Sequence, residues 1–188
     1  MQSGVLKMTF EELTKEEQQE IIERERNDID WDSYTEDLEM MFEENIYENF
    51  PAISNMKMCF SLNYCQGDGV SFTGTITDKE GITELFKKVY GDIPLKVKRV
   101  IPHIYSIELE RTNHHYTHPY TVTTVITDEW NDYSHTRFLK LLEQIKNDIN
   151  EYRIDFCTQL EKHGYAYMDE VSSDEYIKER LIEEGDVY

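Results

Sequence analysis

The sequence is poor in the residues on which disulfide scaffolds and flexible linkers depend. It has three cysteines, four prolines and eight glycines among 188 residues, and it contains no low-complexity stretch. Cys59 and Cys65 lie six residues apart on one predicted strand, at about 20 Å, which is beyond the reach of a disulfide. Because these two and Cys157 are an odd number, we expect reduced thiols in a reducing compartment.

Long apolar runs are also missing. No run approaches the roughly 18 residues of a membrane-spanning helix. The first residues, MQSGVLKMTFEEL, turn acidic too early for a secretory signal. We therefore expect a soluble protein of the cytoplasm without membrane contact. Its 39% apolar residues, with 13 tyrosines and eight phenylalanines, are sufficient for a folded core.

Basic residues are scarce, at 19 against 39 acids, which gives a formal net charge of −20. Residues 9–50 hold 16 acids and three bases, and residues 168–188 hold eight and two. The rest of the chain is therefore nearly neutral, and both ends are strongly acidic. A nucleic-acid-binding protein is expected to show a basic footprint, so this distribution disfavours direct binding of DNA or RNA and allows a basic partner.

The sequence also lacks the motifs of common enzymes. It has no glycine-rich dinucleotide loop, P-loop, nucleophile elbow, paired-cysteine metal spacing or His-Glu-x-x-His helix. Asp68 could act as a catalytic carboxylate, but a type I turn favours aspartate for local hydrogen bonding. We accordingly predict a non-enzymatic protein with no catalytic residue and no cofactor.

The clearest structural pattern lies in residues 56–77, where apolar and polar residues alternate in two runs. This period of two predicts a hairpin. A three-residue loop, Gly67 to Gly69, keeps the apolar faces together, and Gly69 would take the left-handed conformation that closes it. In this register Tyr64 faces Phe72. The same register pairs Leu62 with Gly74 and Phe60 with Ile76.

The remaining patterns predict an α+β protein in which helices cover a four-stranded antiparallel sheet made of two hairpins. The order is α-α-β-β-α-β-β-α-α in a single domain, 1–188. It comprises an acidic helical pair at 9–50, a sheet-containing core at 55–164 and a helical tail at 172–188. The helices are predicted at 9–27, from Asp32 or Ser33 to 49, at 82–90, from Ser134 or Thr136 to 163, and from a capping box of Ser172 and Glu175 to Gly185. The last two strands are predicted at 104–111, with Tyr105, Ile107 and Leu109 on one face, and at 120–127, with Tyr120 on the apolar face.

Two polar clusters allow alternative interpretations. His114, His115 and His118 are close enough in sequence to suggest zinc, but hairpin tips are polar in any case and no Cys or carboxylate falls within the cluster. We therefore predict no metal and keep the three histidines as the candidates. Lysines and an arginine at 87, 88, 96, 98 and 99 form a basic concentration, which we interpret as a solvated helix end because no phosphate-binding loop adjoins it.

The segment Tyr64 to Phe72, YCQGDGVSF, followed downstream by Ser172 to Glu175, SSDE, resembles a loose group of small phage-encoded proteins. This resemblance implies a phage or prophage origin, where small acidic proteins often act against host defence, as anti-CRISPR proteins do. It implies no catalytic residue.

The density of acids on the first two helices suggests a function. Laid side by side, these helices would present about one charge per 2 Å, close to the roughly 1.7 Å of duplex DNA. We therefore hypothesise a nucleic-acid mimic: an inhibitor that binds a basic host protein, such as a CRISPR effector nuclease, in the host cytoplasm. The predicted partner-binding residues are Glu16, Glu20, Glu23, Glu36, Glu39, Glu43 and Glu44.

Two alternatives remain open. The first is a small-ligand or metal-binding module that uses the hairpin tips, with Gln66 and Asp68 at the first tip and the histidines at the second. The second is an oligomeric structural or accessory protein of a phage, since the long predicted helix could form a homo-oligomer seam.

Overall fold

The computed structural model describes residues 8–129 and 136–185. Within them the α+β class is confirmed, with six α-helices and a four-stranded antiparallel sheet in the order β1-β2-β3-β4. Ser134, one of the two predicted caps of the long helix, and residues 186–188 of the predicted tail lie outside the described residues. The helices are α1 (Lys15–Asn27), α2 (Trp31–Asn49), α3 (Lys79–Tyr90), α4 (Leu95–Lys98), α5 (Thr136–Val171) and α6 (Asp174–Glu184), and the strands are β1 (Ser54–Ser61), β2 (Gly69–Ile76), β3 (Ile104–Arg111) and β4 (Val122–Asp128).

By its internal contacts the chain divides into two compact units, one of residues 1–37 and 164–188 and the other of residues 38–163. The boundaries fall inside α2 and α5. The single-domain organisation stays a prediction.

The first unit is built where α1 packs against α6. Its core consists of Phe10, Ile21, Ile22, Ile177 and Leu181, with Leu13 packed against it. Because α1 carries apolar residues only on this narrow stripe, the rest of its surface lies in solvent. Arg26 pairs with Asp174, and Arg180 pairs with Glu25 at 3.0 Å, so ion pairs flank the same contact.

The second unit packs helices onto the apolar face of the sheet. Aromatic rings make this contact: Phe42 on α2 meets Phe60 at 5.4 Å between centroids, and Phe50 meets Phe72 at 4.8 Å. Ile145 and Ile149 of α5 are fully buried, as are Ile82, Leu85 and Phe86 of α3. These buried positions recur at the three- and four-residue spacing of amphipathic helices.

The register predicted for the first hairpin is wrong. Phe60 pairs with Val70 and Met58 with Phe72, and β1 ends at Ser61, so that the connecting loop runs over residues 62–68. The loop is longer because the Asp68 carboxylate organises it, accepting hydrogen bonds from the Asn63 and Cys65 N–H groups at 2.7 and 2.8 Å. The shift is even, so apolar residues still face apolar residues.

Two predicted strand faces also need correction. A register shift between Ile104 and Ser106 turns Tyr105 outward, where it is 59% exposed, and buries Ile104 in its place. Tyr120 belongs to a short 3₁₀ turn, Pro119–Thr121, ahead of β4 and is 72% exposed. In both places an irregular residue breaks the period of two on which the prediction rests.

Several helix boundaries differ from the prediction: α3 begins at Lys79 instead of residue 82, and the short helix α4 was not predicted. Residues 10–12 form a separate 3₁₀ turn after Thr9, and α1 begins behind Thr14, whose side chain accepts a hydrogen bond from the Glu17 N–H. Helix α5 continues through Gly164 to Val171, because the apolar stripe continues and glycine only weakens a helix. The cap of α6 is Ser173, not Ser172.

Candidate interaction surfaces

The acidic side of α1 is exposed along the helix. Glu16, Glu20 and Glu23 all lie in solvent, while Ile21 and Ile22 face the core with α6. The helix that covers the apolar stripe of α1 is thus α6. The carboxylates of α1 form an acidic face of the first unit.

Helix α2 carries a second acidic face within residues 38–49. Leu38, Phe42 and Ile46 are buried, so the opposite side of the helix is exposed. This α2 face consists of Glu39, Met40, Glu43, Glu44, Tyr47 and Glu48, all exposed. Glu36, the remaining predicted partner-binding residue, is exposed on the part of α2 that belongs to the first unit.

The predicted carboxylates are not neutralised by neighbours. Among the described residues, none of the seven predicted glutamates forms an ion pair; the acids that do pair near them are Glu25, with Arg24 and Arg180, and Glu48, with Lys88 at 3.6 Å. Their charge is therefore available to a partner.

Two large apolar side chains on the α2 face were missed by sequence reasoning. Met40 is 59% and Tyr47 is 51% exposed, each next to glutamates. Both residues fall outside the helical spacing of Leu38, Phe42 and Ile46, and this was the signal that could have identified them. Exposed apolar and aromatic side chains among charges are typical of interface centres.

The structure brings the two predicted hairpin tips together. The N–H and the hydroxyl of Thr117 both donate to the carbonyl of Gly67, at 3.2 and 3.1 Å. Gly67 has φ +104°, and a Cβ there would overlap the Tyr116 ring. The tips thus form one surface, defined here as the joined tips and comprising residues 62–69 and 113–120.

Asp68 has a structural role in the joined tips. Besides the two backbone N–H groups of its loop, it accepts a hydrogen bond from the Ser61 hydroxyl at 2.6 Å. Burial and the Asp68 charge raise the pKa of the neighbouring Cys65 thiol, which disfavours a reactive thiolate. Gln66 is exposed at the same tip.

The three histidines do not converge on a metal site. His114 and His115 are exposed, and His118 is half-buried with its Nδ1 buried and without a hydrogen-bond partner. Within residues 8–129 and 136–185 no group of three His, Cys, Asp or Glu side chains is placed to hold a metal ion. A zinc site needs such a group.

The histidines instead belong to a row of aromatic rings, another feature that sequence reasoning missed. His115 and Tyr116 are 4.5 Å apart between ring centroids, Tyr116 and His118 stack nearly parallel at 5.6 Å, and His118 and Tyr120 are 5.8 Å apart. This aromatic row comprises His115, Tyr116, His118 and Tyr120. Alternating aromatic residues from 114 to 120 were the available signal.

The carboxylate of Glu161, on α5, lies beside the aromatic row. The carboxyl of Glu161 lies beside Gly69, where an added Cβ would also be 2.9 Å from the Cα of His118. Burial, and then the charge of Asp68, raise the pKa of Glu161, while His118 and Lys162 lower it. Glu161 makes no hydrogen bond with any described residue.

A shallow groove crosses the outward face of the sheet beside the joined tips. Its volume is about 580 Å³ and its lining is of mixed charge, with Lys57, Glu110, Arg111 and His114 among Cys59, Thr73 and Leu109.

All three cysteines are free thiols, two of them exposed and Cys157 buried. Burial raises the pKa of Cys157 to about 12.

No match to the chain was found among curated proteins or among solved structures. In the described parts of the chain, no helix combines the length and the apolar character needed to cross a bilayer. One family model matches residues 31–174, which is most of the chain. On this match the chain belongs to the family described as a domain of unknown function, DUF8835.

Proposed function

We propose that the protein is a non-enzymatic inhibitor of the phage anti-defence type, which binds a basic, nucleic-acid-binding host protein in the cytoplasm. A CRISPR effector nuclease is the partner class that best fits this chemistry. The observation that carries the proposal is that all seven predicted glutamates are exposed and none is paired within the described residues.

The α2 face supplies the central contact. Glu39 and Glu43 lie one turn apart, at about 6 Å along the axis, a spacing of the same order as successive phosphates. Met40 and Tyr47 lie among the glutamates and add apolar area that can be buried. Charges steer the encounter with a basic groove, and desolvated aromatic anchors hold the complex.

Inhibition then follows from competition. A groove that holds nucleic acid is lined with Arg and Lys, and carboxylates that pair with them exclude phosphates from the same positions. Such binding weakens steeply with salt, because both partners are charged at the interface.

The test is a DNA-cleavage assay with guide-loaded nucleases, at about 50 and about 300 mM NaCl. We expect inhibition that declines at the higher salt concentration. The double variant Glu39→Lys/Glu43→Lys should lose inhibition at least about tenfold, and Glu20→Lys/Glu23→Lys tests the α1 face in the same way. Thermal unfolding of each variant shows whether it is folded.

The matched control is Glu151→Lys/Asp155→Lys, two exposed acids one turn apart on α5 with no ion pair to a described residue. It changes the net charge equally and should leave inhibition unchanged. Equal loss in the control and the α2 variant would mean that only net charge matters. If the unaltered protein inhibits none of the nucleases, the proposal is wrong.

A second candidate, a small-ligand module, is favoured by one observation, which is that the hairpin tips join into one surface. Under this candidate a ligand would bind at Gln66 and the aromatic row. Ligand-induced shifts of the tyrosine resonances, with intact α2 resonances, would distinguish it from the inhibitor. For the homo-oligomer alternative, solution scattering is the corresponding measurement.

A further inference from the structure

We propose that the joined tips form a separate arginine-binding surface, on which a partner's guanidinium stacks against the aromatic row and pairs with Glu161. The basic character of the partner rests on the proposed function. The surface itself is argued from its own residues, which all lie in the unit of residues 38–163.

The first observation is that the row presents open ring area. Tyr120 is 72% and Tyr116 is 39% exposed, and both contact His118, between them, at centroid distances below 6 Å. Contiguous exposed apolar patches on soluble proteins often mark binding sites. Such ring faces attract a planar guanidinium through cation–π contact and stacking.

The second observation is the local charge. Glu161 is half-buried beside the row and makes no hydrogen bond with a described residue, and burial raises its pKa. A partly desolvated carboxylate without a donor gains from a cation that brings its own N–H groups. Arginine offers a flat face for the rings and N–H groups at its edge for the carboxylate, whereas lysine offers only a point charge.

The third observation is that the surface is held in shape before a ligand arrives. Arg153, which is fully buried on α5, donates to the carbonyls of Pro119 and Val122 at 2.8 and 2.6 Å. These bonds hold the turn that carries Tyr120. Thr117 fixes the aromatic row to the first tip. Little conformational entropy of these loops is therefore lost when a ligand binds.

The experiment uses the full chain and two peptides of equal charge, in which glycine alternates with arginine or with lysine. Calorimetry measures both affinities at about 50 mM NaCl. We expect the arginine peptide to bind about fivefold tighter than the lysine peptide. Tyr120→Ala should remove this preference, while Tyr120→Phe should keep most of it.

Two further variants separate this surface from the α2 face. Glu161→Gln should lower the affinity for the arginine peptide, so that the affinities for the two peptides become more similar. Tyr47→Ala, an exposed tyrosine on the α2 face, should leave the preference intact. Equal affinity for both peptides, binding of neither, or loss of the preference in Tyr47→Ala would each overturn the inference. Loss of nuclease inhibition in Glu39→Lys/Glu43→Lys, with the arginine preference retained, would leave the two proposals independently supported.

Discussion

Arg153 is the residue that links the helical layer to the candidate surfaces. Its side chain is fully buried, its two Nη atoms donate to the carbonyls of Pro119 and Val122, and its Nε has no hydrogen-bond partner among the described residues. Burial lowers the pKa of this guanidinium, and the neighbouring Cys157 raises it. A buried cation whose partners are carbonyls is costly to place, so its position indicates that the turn at 119–122 depends on it.

We therefore predict that Arg153→Met lowers the free energy of unfolding by about 2–5 kcal/mol, because two buried carbonyl oxygens lose their donors. Urea unfolding followed by circular dichroism measures the change. The control is Arg137→Met on the exposed side of α5, which should stay within about 0.5 kcal/mol. A stability of Arg153→Met equal to that of the control would show that the carbonyls find other donors.

At the scale of elements, the sequence predicts helices and strands well and their connections poorly. The 3.6-residue stripes of α2, α3 and α5 and the alternation in β2 are repeated many times, so a single exception does not hide them. The Leu62 to Asp68 loop has no such repetition. The Asp68 carboxylate decides its course by accepting hydrogen bonds from Ser61, Asn63 and Cys65. Tyr64 takes φ +55°, which is rare for a residue with a side chain.

The candidate surfaces differ in how far the sequence reveals them. The glutamates could be identified because charge requires exposure at most positions. The joining of the two tips could not be predicted, because the contact between them depends on Gly67 accepting the Tyr116 ring. Glu161 is about 40 residues further along the chain, and long-range contacts of this kind leave no periodic trace.

We predict that Asp68→Asn lowers the free energy of unfolding by about 1–3 kcal/mol, because an amide has only one acceptor oxygen for the donors that the two carboxylate oxygens now share. Protection of the Asn63 and Cys65 amides in hydrogen exchange should fall with it. Asp92→Asn is the control, since the Asp92 carboxylate is fully exposed and makes only a loose pair with Lys98 at 3.6 Å. Unchanged amide protection in Asp68→Asn would mean that the loop is held by the contact between the tips.

At the scale of the whole molecule, the net charge of −20 is the dominant property. Exposed ion pairs, such as Lys87 with Glu84 at 2.5 Å, offset little of it, because pairs in solvent contribute up to about 1 kcal/mol each and are screened. Repulsion among the unpaired carboxylates therefore opposes compaction. An acidic surface that serves only to bind a basic partner would carry this cost in the free protein.

We accordingly predict that added NaCl, from about 50 to about 500 mM, stabilises the free protein, because screening removes more repulsion than attraction. The variant Glu20→Lys/Glu23→Lys/Glu39→Lys/Glu43→Lys changes the formal net charge from −20 to −12, since each reversal adds two charges. Added salt should therefore stabilise this variant less than it stabilises the unaltered protein. The measurement is the thermal unfolding temperature of each protein as a function of salt concentration, which gives one slope per protein. Sucrose is the uncharged control. Equal slopes in the two proteins would show that these four glutamates add no measurable repulsion, which would contradict the charge density on which the proposed mimicry of nucleic acid depends.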